Sequence, residues 1–397
     1  MINRQQQIEE RGTNAVAPGP DNQSAPAVSR PRVSATRRSV LRASLSLAGG
    51  AAVAALGTTR YAGATEPERL AGFQTTAVLN PVSSVGAPTM IVAGTNGPAR
   101  WAPVLSETFS ETLPTDGPIV LQPTAGWDGV TGANKFESQT GGDNAGTLLV
   151  PGAAILASLT GSSRVHFDYQ RWLPVFLSVG APVVVGRVDF HRSLRMLLGD
   201  HPVRVAVSTP DGLELPTLLA MTILSMRVIP VSGIASPEDA IDALRRGEVD
   251  VVQLPASAAR PAMLQGLAQN GFEVLFTLGQ TDGGGSADFV TRVAALQGHA
   301  SRHPLYQACL SASVAAGMDA ALVLPMLTSP AQTARWRHAA QLAVLRPEVT
   351  ALAKTDGTRA VGGADVATLY HTLTPDLSGL LALRRWLAER TPGWRSG

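Results

Sequence analysis

The sequence predicts an α/β fold in two units, each built on a mainly parallel sheet flanked by helices. Three observations predict it. Short apolar runs alternate with helical stretches from residue 89 to residue 278. Pro182–Val188 (PVVVGRV) is almost continuously apolar, as a strand covered on both faces must be. The loops after the strands are rich in Gly and small polar residues, which suits tight strand-to-helix turns.

Taken in order, Thr89–Ala93 reads as a strand, and Gly94-Thr95-Asn96-Gly97-Pro98 as its loop. A helix follows over about Arg100–Glu111, with Trp101, Val104, Leu105 and Phe109 on one face. Ile119–Leu121 is a strand leading into a Gly-rich loop, Thr124–Gly132. Leu148–Val150 is a third strand, followed by Pro151-Gly152 and a helix of small residues; Pro182–Val188 closes the first unit. The second unit begins near Asp189. Val203–Val207 is a strand, Ser208–Pro216 a loop, Leu218–Leu224 helical and Met226–Val231 a strand. Ser236-Pro237-Glu238-Asp239 opens a helix with a capping box and a Pro at the first position; Gly247 ends it. Val249–Leu254 and Phe272–Leu278 are the remaining strands of the unit. After about Gly283 the chain reads as mostly helical, with Trp336, Leu342, Leu345, Leu352, Leu380 and Leu383 as core positions.

The chain has 397 residues, and its 45 % hydrophobic content is enough for two cores, which excludes wholesale disorder. The net charge of +2 is unevenly spread. Residues 1–64 hold eight arginines against three acids, or +5, so the rest carries −3. The basic sequence pI near 9.0 therefore belongs to the front of the chain. No basic stripe with aromatic platforms remains, so a nucleic-acid partner is not expected.

That front segment resembles a twin-arginine signal peptide. Thr36-Arg37-Arg38-Ser39-Val40-Leu41-Arg42 precedes an apolar run from Ala43 to Leu56, and Ala62-Gly63-Ala64 makes a small-x-small cleavage pattern. The run is too short to span a hydrocarbon core of about 30 Å, so a cleaved signal fits better than an anchor. Residues 1–64 are thus expected to be leader and signal, cut near Ala64. A protein so exported would meet the twin-arginine translocase and reach the periplasm already folded. The single cysteine, Cys309, excludes an internal disulfide and reads as a small core residue.

Motifs for chemistry are sparse. GxxxxGK[ST] is absent, since Lys135 and Lys354 are the only lysines and neither fits. GxGxxG and GxSxG are absent too. His299 and His303 lie four apart, but Pro304 breaks the helix that a shared metal would need, so no metal site and no cofactor are expected. No pair of carboxylates stands out as a general acid and base. What remains is three Gly-rich or small-residue loops at strand ends, 94–98, 126–132 and 208–213. Such a loop before a helix offers unpaired N–H groups and the positive end of the helix dipole, which suit a small anion.

At these residues the chain resembles the substrate receptors of the tripartite tricarboxylate transporter system, the Bug or TctC-like family. IVAGTNGPAR (91–100), QPTAGWDGVTGAN (122–134), GTLLV (146–150), FDYQRWLPV (167–175) and RRGEVDVV (245–252) match its stretches in order and spacing. The resemblance implies a two-lobed periplasmic binding protein of type II-like architecture that closes on a small organic acid and delivers it to membrane transporter subunits. It implies ligand contacts at Thr95, Asn96 and Gly97, at Trp127, Asp128 and Gly129, at Ala153 and Ala154, and at Ser208, Thr209 and Asp211. Arg100 stands near a family Asp, and is expected to add a cationic contact. Trp127 and Asp128 replace the family's small residues. The resemblance implies lobes of residues 65–188 plus 284–397 and of 189–283, with hinge crossings near 188–190 and 280–285. An exported enzyme and a ligand sensor signalling to a membrane partner stay open as other readings.

Overall fold

A computed structural model describes residues 88–113, 117–139, 146–188, 202–279, 287–298 and 301–395. The signal, its cleavage point, His299 and most of the two expected hinge crossings lie outside these residues. Among the described residues no helix is long and apolar enough to cross a membrane.

The first sheet contains β1 (Thr89–Ala93), β2 (Val120–Thr124), β3 (Thr147–Val150), β4 (Leu173–Val179), β10 (Met318–Leu324) and β11 (Arg359–Gly362). Their spatial order is β11-β4-β10-β3-β1-β2. The second holds β5 (Val183–Arg187), β6 (Val203–Ala206), β7 (Val228–Val231), β8 (Val251–Leu254) and β9 (Phe272–Thr277), in the order β7-β6-β8-β5-β9. The helices are α1 (Gly97–Thr112), α2 (Val130–Gln139), α3 (Gly152–Thr160), α4 (Leu215–Ile223), α5 (Pro237–Arg246), α6 (Arg260–Ala268), α7 (Phe289–Gln297) and α8 (Tyr306–Gly317). They continue with α9 (Pro330–Ala343), α10 (Pro347–Asp356), α11 (Asp365–His371) and α12 (Leu377–Arg395).

The two-sheet α/β architecture is as expected, but both sheets are mixed where mainly parallel ones were expected. In the first, β1 pairs parallel with β2 and β3, whereas β10 runs antiparallel to β3 and β4, and β11 antiparallel to β4. In the second, β6 is parallel to β7 and β8, and β5 is antiparallel to β8 and β9. The cause is topological. The chain leaves the first sheet after β4, builds β5–β9, then returns and inserts β10 from the crossover side, so β10 enters reversed.

These pairings decide which ends face each other. β1–β4 all point the same way, towards the edge at which β4 hands over to β5. β5 enters the second sheet from that side and opposes β6–β9, so their carboxyl ends lie on the same facing edge. The link is Gly180-Ala181-Pro182, and it is tied to both sheets: Gly180 N donates to Gly317 O (2.8 Å) and Leu278 N to Pro182 O (2.8 Å). Val183–Arg187, expected to close the first unit, is therefore a strand of the second. The expected return at 280–285 lies outside the described residues, and the chain next described is still in contact with the second sheet. Asp288 bridges Thr277, and Phe289 packs at a tilt against Phe276 with ring centroids 5.4 Å apart.

The core is continuous between the sheets. α8 packs on α3 of the first and α4 of the second, and its alanines allow that close approach. Cys309, fully buried on α8, directs its sulfur to Pro216 O of α4 (3.7 Å). α1, α9 and α10 cover the other face of the first sheet, where Trp101 meets Phe176 at 5.2 Å. α5 and α6 cover the second sheet with Ile241, Leu244 and Leu267. The Ser236 cap forms, with Asp239 N donating to Ser236 Oγ (3.0 Å), but in place of the reciprocal backbone bond of a capping box the Asp239 carboxylate accepts from the Ser236 hydroxyl (2.7 Å); Gly247 adopts φ +72°.

The C-terminal region corrects the helical reading. β10 and β11 were not expected there. Trp336 and Leu383 are buried and Leu352 and Leu380 partly so, but Leu342 (40 %) and Leu345 (78 %) are exposed. Both lie at the end of α9, whose buried face is made by Trp336, Ala339, Ala340 and Ala343.

Candidate functional site at the facing strand ends

Three turns at the carboxyl ends of the first sheet are forced together by glycine. Gly94 (φ +95°) and Gly129 (φ +75°) adopt a backbone that L side chains rarely take. A Cβ on Gly94 would lie 3.1 Å from Trp127 O, and one on Gly129 would lie 2.5 Å from Pro151 Cδ. The loops after β1, β2 and β3 therefore stack in contact, and the starts of α1, α2 and α3 gather behind them.

The three helix starts differ in how they are capped. α2 is capped: Val130 N donates to Asp128 Oδ1 (3.2 Å). α1 and α3 have no side-chain cap. An α-helix leaves its first N–H groups without intrahelical partners, so these two ends keep capacity for an anion.

Thr95 and Asn96 are exposed at the α1 start. Gly97 is buried, and a side chain there would run into the Asp319 carbonyl. Trp127 is 54 % exposed at the tip of its loop. Asp128 is buried and bonded to Arg164 as well as to Val130, so it is a structural cap and not an open contact for a ligand. Ala153 is half-buried on the first turn of α3. Ala154 turns its methyl fully into the core and its N–H to Pro151 O (3.2 Å), which leaves it nothing to offer a ligand.

Arg100 does not stand as an open cation. Its Nη2 donates to Asp319 Oδ1 (3.0 Å), and its Nε pairs with Asp356 Oδ1 (3.2 Å). Trp101 Nε1 also donates to Asp319 Oδ2 (2.8 Å). Burial pushes the Asp319 carboxyl above its ordinary range, outweighing the opposing pull of Arg100 and Trp101, and the neighbouring Asp356 adds to the rise.

Across the crossover, Ser208 is half-buried, while Thr209 and Asp211 are exposed. Ser208 donates twice to one oxygen, Glu214 Oε2: from Oγ at 2.8 Å and from N at 3.2 Å. Burial raises the Glu214 carboxyl above its ordinary range, and the two Ser208 bonds recover only part of that rise. A buried amide anchors the loop. Gln253 Nε2 donates to Leu213 O (2.8 Å), and Thr217 Oγ1 donates to Gln253 Oε1 (2.7 Å). At the crossover itself Arg260 Nη1 donates to Ala181 O (2.5 Å), and Ala258 N reaches Thr355 O (3.2 Å) from the other sheet's side.

The structure thus brings together the β1, β2 and β3 loops and opposes them with the β6 loop. Sequence reasoning missed Asp319, Asp356, Glu214 and Arg260. Only Glu214 carried a local signal, an acid just before a helix-opening Pro; the others become relevant through contacts across long sequence separations. His303 has a local role, its Nδ1 accepting from Leu305 N (3.2 Å).

No family model and no curated protein matches this chain. Solved structures do. A TctC solute-binding protein from Polaromonas, solved without ligand, superposes with a TM-score of 0.53 at 14 % identity, covering 75 % of this chain and 98 % of that one. A structure described as a periplasmic transporter gives 0.47 at 16 % identity over 75 % of this chain and 97 % of its own. MatC from Rhodopseudomonas palustris with bound malate gives 0.42 at 14 % identity over 78 % and 98 %. The chain has the fold of the Polaromonas protein.

Proposed function

We propose that the chain is an exported solute-binding receptor of the tripartite tricarboxylate transporter type. It captures a small organic carboxylate between two lobes and delivers it to membrane transporter subunits. β1–β4, β10 and β11 form one lobe and β5–β9 the other, and closure bends the chain at the Gly180–Pro182 crossover. The observation that carries this reading is the meeting of the two sets of strand carboxyl ends over that short link, with the α1 and α3 starts uncapped by side chains. Open α/β sheets bind ligands outside the carboxyl ends of their strands, and helix starts hold anions through backbone N–H groups. Arg100 and Arg164 are engaged by acids, so the grip on the anion falls to the backbone and small hydroxyls.

In this reading Thr95, Asn96, Gly97 and Ala153 hold the carboxylate from the first lobe, and Trp127 covers it. Ser208, Thr209 and Asp211 border it from the second. The protein binds without turnover, and works in the periplasm after twin-arginine export and cleavage near Ala64.

The test is mass spectrometry of ligand co-purified with the mature protein, followed by thermal shift with mono-, di- and tricarboxylates. A ligand present at a hundred times its Kd stabilises by about 2.7 kcal/mol, a clear rise in Tm. No shift with any carboxylate, together with turnover of some compound, overturns the reading.

A further inference from the structure

The β6 loop already holds a carboxylate, its own. Ser208 N and Oγ, the donors expected to meet a ligand, both point at Glu214 Oε2. The loop is closed tightly enough to keep them there: a Cβ on Gly212 would lie 2.8 Å from Ser208 Oγ and 2.9 Å from Thr209 Oγ1. Gln253 pins the neighbouring Leu213 carbonyl, which fixes the backbone beside the acid.

The β6 loop lies at the carboxyl ends of the second sheet, the edge turned towards the first. Glu214 immediately precedes α4, whose Pro216 carbonyl meets Cys309 of α8. The far end of α8 carries Ala315, whose carbonyl packs against Gly152 at the α3 start. Six residues of helix separate the two contacts, a span of about 9 Å. A ligand held by its carboxylate at the first lobe's helix starts would have its other end on the side of the β6 loop that carries Glu214.

Resting on the receptor reading, we infer that Glu214 determines specificity: the site takes a ligand with one carboxylate whose far end carries a hydrogen-bond donor, and it turns away a second carboxylate. Both Ser208 bonds fall on Oε2 and the carboxylate also meets its own backbone N–H, so the acceptor capacity for an ammonium or hydroxyl is what the remaining lone pairs supply. A second carboxylate would meet a like charge, and would find the Ser208 donors taken.

The experiment is calorimetric titration of the mature protein with chain-matched probes differing only at the far end: butanoate, 4-aminobutanoate and butanedioate, with the six-carbon set alongside. The donor-ended probe is expected to bind at least tenfold tighter than the dicarboxylate of its length. Glu214→Gln, which keeps the shape and removes the charge, is expected to bring the two within threefold. Should that variant fail to fold, the wild-type ratio still decides. A dicarboxylate that binds the wild type as tightly as its donor-ended counterpart overturns the inference, as does an unchanged ratio in folded Glu214→Gln. A broad panel that finds only di- or tricarboxylate ligands overturns the inference and leaves the receptor reading standing. A panel in which no carboxylate binds overturns both.

Discussion

Arg100, in the first turn of α1, grips Asp319, the second residue of β10, with its Nη2 3.0 Å from one carboxylate oxygen and 3.3 Å from the other. The same guanidinium reaches Asp356 at the end of α10, so one cation serves two neighbouring acids at the facing edge of the first sheet. The arrangement ties the β1 loop to two elements more than two hundred residues away.

Asp319 should make stability fall as pH rises from mildly acid values. Its folded carboxyl titrates above its unfolded value, so the folded state holds the proton more tightly. The stabilisation is then fully present below the unfolded carboxylate range and lost as pH rises through the raised folded value. Asp319→Asn has no such dependence at this site, so the wild type's advantage over it should widen on going from pH 8 to pH 4. Thermal melts of both proteins across that range check this, and a gap that narrows towards acid pH contradicts it.

Gly129→Ala should destabilise the chain by about 2 kcal/mol or more, combining a left-handed backbone with a clash against Pro151. It should also weaken ligand binding, because the loops after β2 and β3 can no longer stack. Urea unfolding and a binding titration read the two effects separately.

Thr217→Val removes a buried hydroxyl that donates to Gln253 Oε1 at 2.7 Å. The amide oxygen then has no donor in an apolar setting, at a cost of about 1–3 kcal/mol. Gln253→Leu removes the amide, leaves the Thr217 hydroxyl without its acceptor and frees the Leu213 carbonyl. The double variant Thr217→Val/Gln253→Leu should therefore cost less than the sum of the single changes, which chemical denaturation of all three will test.

Burial pushes the Cys309 thiol up to about 12, and the side chain has no exposure in the fold. At pH 8 it is protonated and shielded, so an aromatic disulfide reagent should modify it only as fast as α8 opens. Adding denaturant past the unfolding midpoint should make the reaction complete within the mixing time. Rapid modification of the folded protein would contradict this packing.

How much of this was legible in the sequence depended on the range of the cause. β1, β3 and β5–β9 were read from apolar runs, and α5 from its capping box, because each signal lies within a few residues. β4 hid within a stretch valued for its resemblance to other receptors, and β10 (MDAALVL) hid behind the Ala-rich α8, where small residues fit helix or strand equally. β10 becomes a strand because a slot between β3 and β4 awaits it, and nothing in its own seven residues says so. The glycines at 94 and 129 were correctly placed at tight turns; that the turns stack on one another required the sheet.

By itself the sequence determined the α/β alternation, the small-residue loops at strand ends and the buried cysteine. It also singled out Arg100, Asp128 and Ser208, which lie near the carboxyl ends of strands. Only the tertiary structure decided what those three do: Arg100 is neutralised by Asp319 and Asp356, Asp128 caps α2 beside Arg164, and Ser208 serves Glu214. The physical reason is that a side chain's charge and hydrogen-bonding capacity are local properties, whereas whether they remain available depends on partners that folding brings in from anywhere along the chain.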